Sequence, residues 1–285
     1  MRPVESAYPL GRNVNHDPRS RSYVFDTAGA TVASVKHNRN IPVLDQGQLG
    51  SCTGNATVHA LGTDPFYSTV SSKVQLNQAL AVSIYSKATV IDGAPGYYPP
   101  DDTGSDGVSV AKIAQSMGYI SGYTHTFSFD AALKALSSQP VIVGVNWYNN
   151  FFTPDTNGVI TIGANDYVAG GHEVVLDEID VARQLVGGTN SWGREWGLAG
   201  RFYMSFDLFK RLLSEQGDVT AFVPLTQPAP IPIPPIPVPV PVTPGTDAGF
   251  QLWKSLRFWA TASHRGSNKV AANKVTAWAK SNGWS

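Results

Sequence analysis

The chain has 285 residues, 42% apolar and 15% charged, which suits a packed core and excludes wholesale disorder. A formal net charge of zero hides an uneven distribution, because residues 1–244 carry 15 basic and 20 acidic side chains while residues 245–285 carry 6 and 1. An acidic body is therefore joined to a basic tail. The one cysteine, Cys52, excludes an internal disulfide and a multi-cysteine zinc site.

Residues 1–40 are polar and punctuated by Pro, Gly and Asn, with a short strand-like run at Tyr23–Phe25, and read as an extended arm. The first residues lack the apolar stretch of a signal peptide, and nowhere do about 18 apolar residues follow one another as in a membrane span. The expected location is the cytoplasm or a virion-like assembly, with no transmembrane segment. Residues 41–223 hold most of the apolar periodicity and form the expected main domain. Helices are expected from Ser51–Cys52 through Ala56–Leu61, over Leu76–Val90 and over Val108–Met117. The β-branched run Pro140–Val145 reads as a buried strand, and further strands fit Val159–Ile162, Glu173–Leu176, Leu185–Gly188 and Arg201–Ser205. Helices first and strands later make the class α+β.

Residues 224–245 alternate proline with apolar residues. Proline fixes φ and lacks the N–H of a helix or central strand, so an extended, stiff linker is expected. In residues 246–285, Phe250, Trp253, Leu256 and Trp259 recur at three to four residues, and Val270, Val275 and Trp278 mark a second face beyond Gly266. This pattern suggests a small basic helical hairpin. Units of roughly 40 residues seldom stand alone, so it is expected to dock on a protein partner or an anionic surface.

Three segments carry the chemistry: DQGQLGSCTGNA at 45–56, GGHEVV at 170–175, and GTNSWGREWGLAGRFY at 188–203. A thiol nucleophile must be held as thiolate, which a free thiol near pKa 8.5 mostly is not. A helix N-terminus and a neighbouring histidine both favour the thiolate. Cys52 follows a Gly-Ser turn ahead of an expected helix, and His172 follows two glycines at the expected start of a strand. An Asn or Asp must then orient the imidazole, for which Asn190 is the candidate, with Trp192 beside it as a shield. The developing oxyanion needs donors, and the Gln46 side-chain amide with the Cys52 backbone N–H would serve.

These residues resemble the papain family of cysteine peptidases, in the order Gln46, Cys52, His172, Asn190 and over roughly residues 41–206. The resemblance implies a two-lobed fold, with a helical lobe carrying Cys52 and a β-barrel-like lobe carrying His172 and Asn190. It implies hydrolysis of a peptide or protein substrate in the cleft between them, with no cofactor and no metal. Gln46 would be the oxyanion donor, Cys52 the nucleophile, His172 the base and acid, and Asn190 its orienter. Trp192 would cover Asn190, and Trp196 would pack toward the leaving-group side. Gly104 and Ser105, in the loop 101–107, would hydrogen-bond extended substrate.

The chain departs from the family pattern at Leu49, where many relatives have a disulfide cysteine, and at Thr53, where an aromatic is usual. Glu173 follows the histidine where a small residue is common, and would raise the imidazole's pKa or point outward on the strand. The arm is too short for a long helical propeptide and contains Asp17-Pro-Arg19, features closer to the bacterial and bacteriophage branch; it is expected to pack on the body or occlude the cleft. Two other readings stay open: a catalytically silent binding module, and a thiol-dependent acyl or amide transferase. His16, His37, His59, His125 and His264 belong to no motif and read as structural, and the acidic loop Asp101, Asp102 and Asp106 reads as solvated rather than calcium-binding.

Overall fold

The computed structural model describes residues 8–14 and 31–225. The run Tyr23–Phe25, the element Asp17-Pro-Arg19, the helical hairpin and nearly all of the proline-rich linker lie outside them. The elements follow in the order β1 (Val35–Lys36), α1 (Cys52–Leu61), α2 (Tyr67–Val70), α3 (Gln78–Thr89), α4 (Gly107–Ser116), β2 (Gly122–Thr126), α5 (Phe129–Ser138), β3 (Val141–Tyr148), β4 (Val168–Asp180), β5 (Leu185–Thr189), β6 (Arg201–Ser205), α6 (Phe206–Ser214) and β7 (Asp218–Val223). Helices dominate the first half and an antiparallel sheet the second, as the α+β reading requires.

The sheet runs β2-β7-β3-β4-β5-β6, with β1 added against β4. Its central strands are apolar on both faces, which is why β3 reads as a continuous run rather than an alternation. Val141, Val143 and Val145 of β3 join Val174 and Leu176 of β4 in one core with α5 and α6. Ile142 and Val175 face the other way, into a second core with α1, α3 and α4. Strand alternation thus assigns neighbouring residues to opposite layers, and His172 and Glu173 of β4 are divided in the same way.

Helix starts follow local capping chemistry. Asn77, Asp106, Ser128 and Ser205 each accept an N–H from the first turn of α3, α4, α5 and α6. Helix α1 differs: Ser51 precedes it without a side-chain cap, and all ten of its residues are buried. The strand expected at Val159–Ile162 is reduced to an isolated bridge from Val159 to Tyr203. Asp155 Oδ1 takes the N–H groups of Asn157 and Val159, so the chain there is held as a turn.

Asp177 is fully buried and paired bidentately with Arg201 across β4 and β6, at 2.7 and 2.9 Å. Removing one partner strands a buried charge. Arg201→Met is therefore expected to destabilise the protein by about 3–5 kcal/mol, read as a lower urea midpoint with an unchanged slope.

Candidate active site

Cys52 is the first residue of α1 and has no solvent exposure. The uncapped helix start leaves backbone N–H groups and the positive end of the helix dipole at the thiol. Burial nevertheless pushes the Cys52 thiol up to about 12; the backbone groups of Glu173, Gly11 and Thr53 pull it down, while the Glu173 carboxyl pushes it further up. The sulfur therefore lies against the residue next to His172 and against the N-terminal arm.

His172 sits inside β4 opposite Val145 of β3. Its Nε2 lies 2.8 Å from Asn190 Oδ1. The same oxygen accepts the Ser191 backbone N–H at 2.7 Å, which fixes that atom as an acceptor. Nε2 must then carry the ring proton, and Nδ1 holds the lone pair. Nδ1 is buried and has no hydrogen-bond partner among the described residues. Burial pushes His172 down to about 4, against the opposing effect of Asn190. The ring is clamped by Trp192, stacked at 4.6 Å, and by Trp147, edge-on at 4.7 Å. Trp147 had no place in the sequence-based site, and its position facing the imidazole follows only from β3–β4 register. Trp196 stands perpendicular to Trp192 at 5.2 Å, and its Nε1 donates to Phe152 O.

Gln46 is held by three contacts. Its Oε1 accepts the Ser191 hydroxyl at 2.6 Å, and its Nε2 donates to Leu49 O at 2.8 Å and to Pro9 O at 3.2 Å. The turn leading into Cys52 is tied to the acidic loop, since Asp102 accepts the Gly50 N–H and the Tyr85 hydroxyl. Asp106 caps α4, and no cluster of three potential metal ligands occurs among the described residues.

Arm residues 8–14 run through this site. Ser105 N donates to Gly11 O at 2.8 Å and Asn13 N to Ser105 O at 2.7 Å, while Arg12 N donates to Gly171 O at 3.0 Å. Gly104 donates its N–H to the Tyr85 hydroxyl. Tyr8 stacks on Trp192 at 4.6 Å. Gly171 is required by this approach: a Cβ there would come within 2.2 Å of Arg12 O. Pro9 touches Gln46, Gly11 lies on Cys52, and Arg12 bonds the residue before His172. From Pro9 to Arg12 is three residues, which span at most about 11 Å when extended, so Gln46, Cys52 and Gly171 are gathered along that short length. Residues 8–14 thus pack on Gln46, Ser105 and Gly171 beside Cys52, and β1 packs on β4.

Glu173 does not point outward as one reading of the sequence had it. It is fully buried on the helix-facing side of the sheet, and it does not figure among the causes of the His172 shift. His59 is structural, as expected. Its Nε2 accepts the Leu44 N–H, and burial, with a smaller contribution from Arg39, pushes it down to about 3.

No family model and no curated protein matches the chain. Solved structures do. Xylellain, a cysteine protease from Xylella fastidiosa, matches with a TM-score of 0.59 and 18% identity over 78% of this chain and 97% of that one. Digestive procathepsin L2 proteinase from Tenebrio molitor larval midgut matches with a TM-score of 0.54 and 17% identity, over 78% and 81%. The proform of the Amb a 11 cysteine protease, a major ragweed pollen allergen, gives 0.54 and 18%, over 79% and 78%. The fold is that of the papain-like cysteine proteases.

Proposed function

We propose that the protein is a cysteine peptidase that hydrolyses peptide bonds at Cys52 and is held inactive by its own N-terminal arm. The observation that carries this reading is the convergence of Gln46, Cys52, Gly171 and Ser105 on one short extended stretch of backbone, residues 9–13. A surface that holds a five-residue stretch through the main chain of Pro9, Gly11, Arg12 and Asn13 also suits a substrate peptide. The lone pair on His172 Nδ1, set by Asn190, supplies the base such a reaction needs.

In the proposed cycle, Cys52 Sγ attacks the scissile carbonyl carbon and its proton passes to His172 Nδ1. The oxyanion is met by the Gln46 amide, once Pro9 has left it, and by the Cys52 backbone N–H. His172 returns the proton to the departing amine, leaving a thioester on Cys52. Water then attacks the thioester, giving its proton to His172, and the carboxylic product leaves as the sulfur is re-protonated. Asn190 keeps the ring in the tautomer that makes Nδ1 the basic nitrogen throughout.

Hydrolysis is expected to yield only free carboxylate products from a denatured protein, even with added amines. Mass spectrometry of the products checks this. Amine-capped products in place of free acids would instead support acyl transfer through the same thioester.

A further inference from the structure

The side chain of Arg12 leaves the groove and enters a pocket in the helix-facing side of the sheet. It has no solvent exposure and forms an ion pair with Asp218, while its Nη2 also donates to Gln216 O at 2.7 Å. Strand register explains the site. Gly144 of β3 pairs with Glu173 of β4 on one side and with Asp218 of β7 on the other. Two carboxyl side chains thus flank a glycine in one cross-strand row, an arrangement that is unfavourable unless a cation lies between them. The glycine makes the room: a Cβ on Gly144 would lie 2.5 Å from Arg12 Nε and 2.8 Å from Glu173 Oε2. Asp106, at the start of α4, adds a further negative charge near Glu173.

The arm's arginine does not use all of this polar capacity. Both Glu173 carboxylate oxygens and Asp218 Oδ1 are buried without a hydrogen-bond partner among the described residues. Gln216 takes a positive φ of 73°, rare for a residue with a side chain, and its carbonyl oxygen accepts from the guanidinium. Burial first, then the neighbouring Asp218, pushes the Glu173 carboxyl well above the usual carboxylate range, and Arg12 pulls it back, so an ionised Glu173 needs a cation beside it. With the arm displaced, the pocket lacks its cation.

We infer that this pocket, formed by Gly144, Glu173, Asp218, Asp106 and the Gln216 carbonyl, is the specificity pocket of the enzyme and selects a basic side chain, arginine before lysine, from the substrate. Arg12 Nη2 alone meets both the Asp218 carboxylate and the Gln216 carbonyl, and arginine ranks first because the planar guanidinium is more weakly hydrated than an ammonium and so loses less on entering a buried pocket. Arg12 occupies the pocket as the substrate's side chain would. The inference rests on the peptidase reading for turnover but not for binding.

The test uses the full-length chain carrying Arg12→Ala, which empties the pocket, and a library of peptides. Cleaved peptides should share an arginine, and less often a lysine, at one fixed position beside the scissile bond, with kcat/KM at least about 100-fold above the leucine analogue. Adding Asp218→Asn should remove most of that preference while Cys52 still reacts with a small thiol probe. In parallel, a fluorescent peptide of residues 8–13 should bind the Arg12→Ala chain at least about 100-fold more tightly than the same peptide with leucine for arginine. Equal cleavage of arginine and leucine peptides, or equal binding of the two fluorescent peptides, overturns the inference. Arginine-selective binding without any turnover upholds the pocket and counts against the peptidase reading instead. If Arg12→Ala misfolds, or binds neither peptide because its arm stays seated through Tyr8, Pro9 and Gly11, the chain lacking residues 1–14 serves the same measurements, since it empties pocket and groove together.

Discussion

Cys52→Ala and His172→Ala are each expected to lower kcat/KM for peptide hydrolysis at least about 10⁴-fold, and the double variant little further. Nucleophile and base act as one unit, so their losses do not add. Gln46→Ala should cost less, about 10²–10³-fold, because the backbone N–H of Cys52 remains as an oxyanion donor. These ratios are to be measured in a chain freed of its arm, and losses that multiplied across the double variant would argue against a shared step.

The second large effect is release of the arm. With residues 8–14 seated, burial holds Cys52 at about 12 and His172 at about 4, so both are neutral between those values. A thiol at about 12 is thiolate in roughly one molecule in 10⁶ at pH 6, whereas a free thiol near 8.5 is so in about one in 300. Deleting residues 1–14 admits water to both groups and removes the Tyr8 ring from Trp192 and the Pro9 carbonyl from Gln46. Desolvation is the leading cause of both shifts, so the thiol's pKa should fall and the imidazole's rise. Alkylation of Cys52 by iodoacetamide at pH 6 should accelerate at least about 100-fold, and peptide hydrolysis with it. Equal rates in the two chains would remove the arm from any inhibitory role.

Much of this site was legible before the fold was known, because thiol chemistry constrains residue type and order. Cys52 stands at the helix start where the Gly-Ser turn put it, and His172 and Asn190 meet at 2.8 Å although 18 residues separate them. The helices over 52–61, 78–89 and 107–116 lie within two residues of expectation at their ends. Helices α5 and α6 were missed, although Phe206, Phe209, Leu212 and Leu213 carry a helical spacing. Their apolar faces pack on the sheet, and short amphipathic runs beside strands are hard to tell from strands.

What the sequence withheld was register. That Glu173 and Asp218 flank Gly144 depends on two strand pairings between residues 29 to 74 positions apart, and one residue of slip would turn each side chain to the other layer. Glu173 next to His172 therefore looked like a perturbation of the imidazole. In the fold it belongs to the opposite face and to the Arg12 pocket. The arm was legible only in outline, as a segment expected to pack on the body or occlude the cleft: its main-chain hydrogen bonds leave no side-chain pattern, and the partner of Arg12, Asp218, lies 206 residues away.

The measurement closest to the central claim is mass spectrometry of the arm-deleted chain after brief exposure to an epoxide peptidyl probe at pH 6, with and without His172→Ala. The proposed site predicts a single adduct on Cys52 that forms within minutes and is nearly lost in the variant. Labelling of both chains at one slow rate, that of an ordinary free thiol, would contradict it.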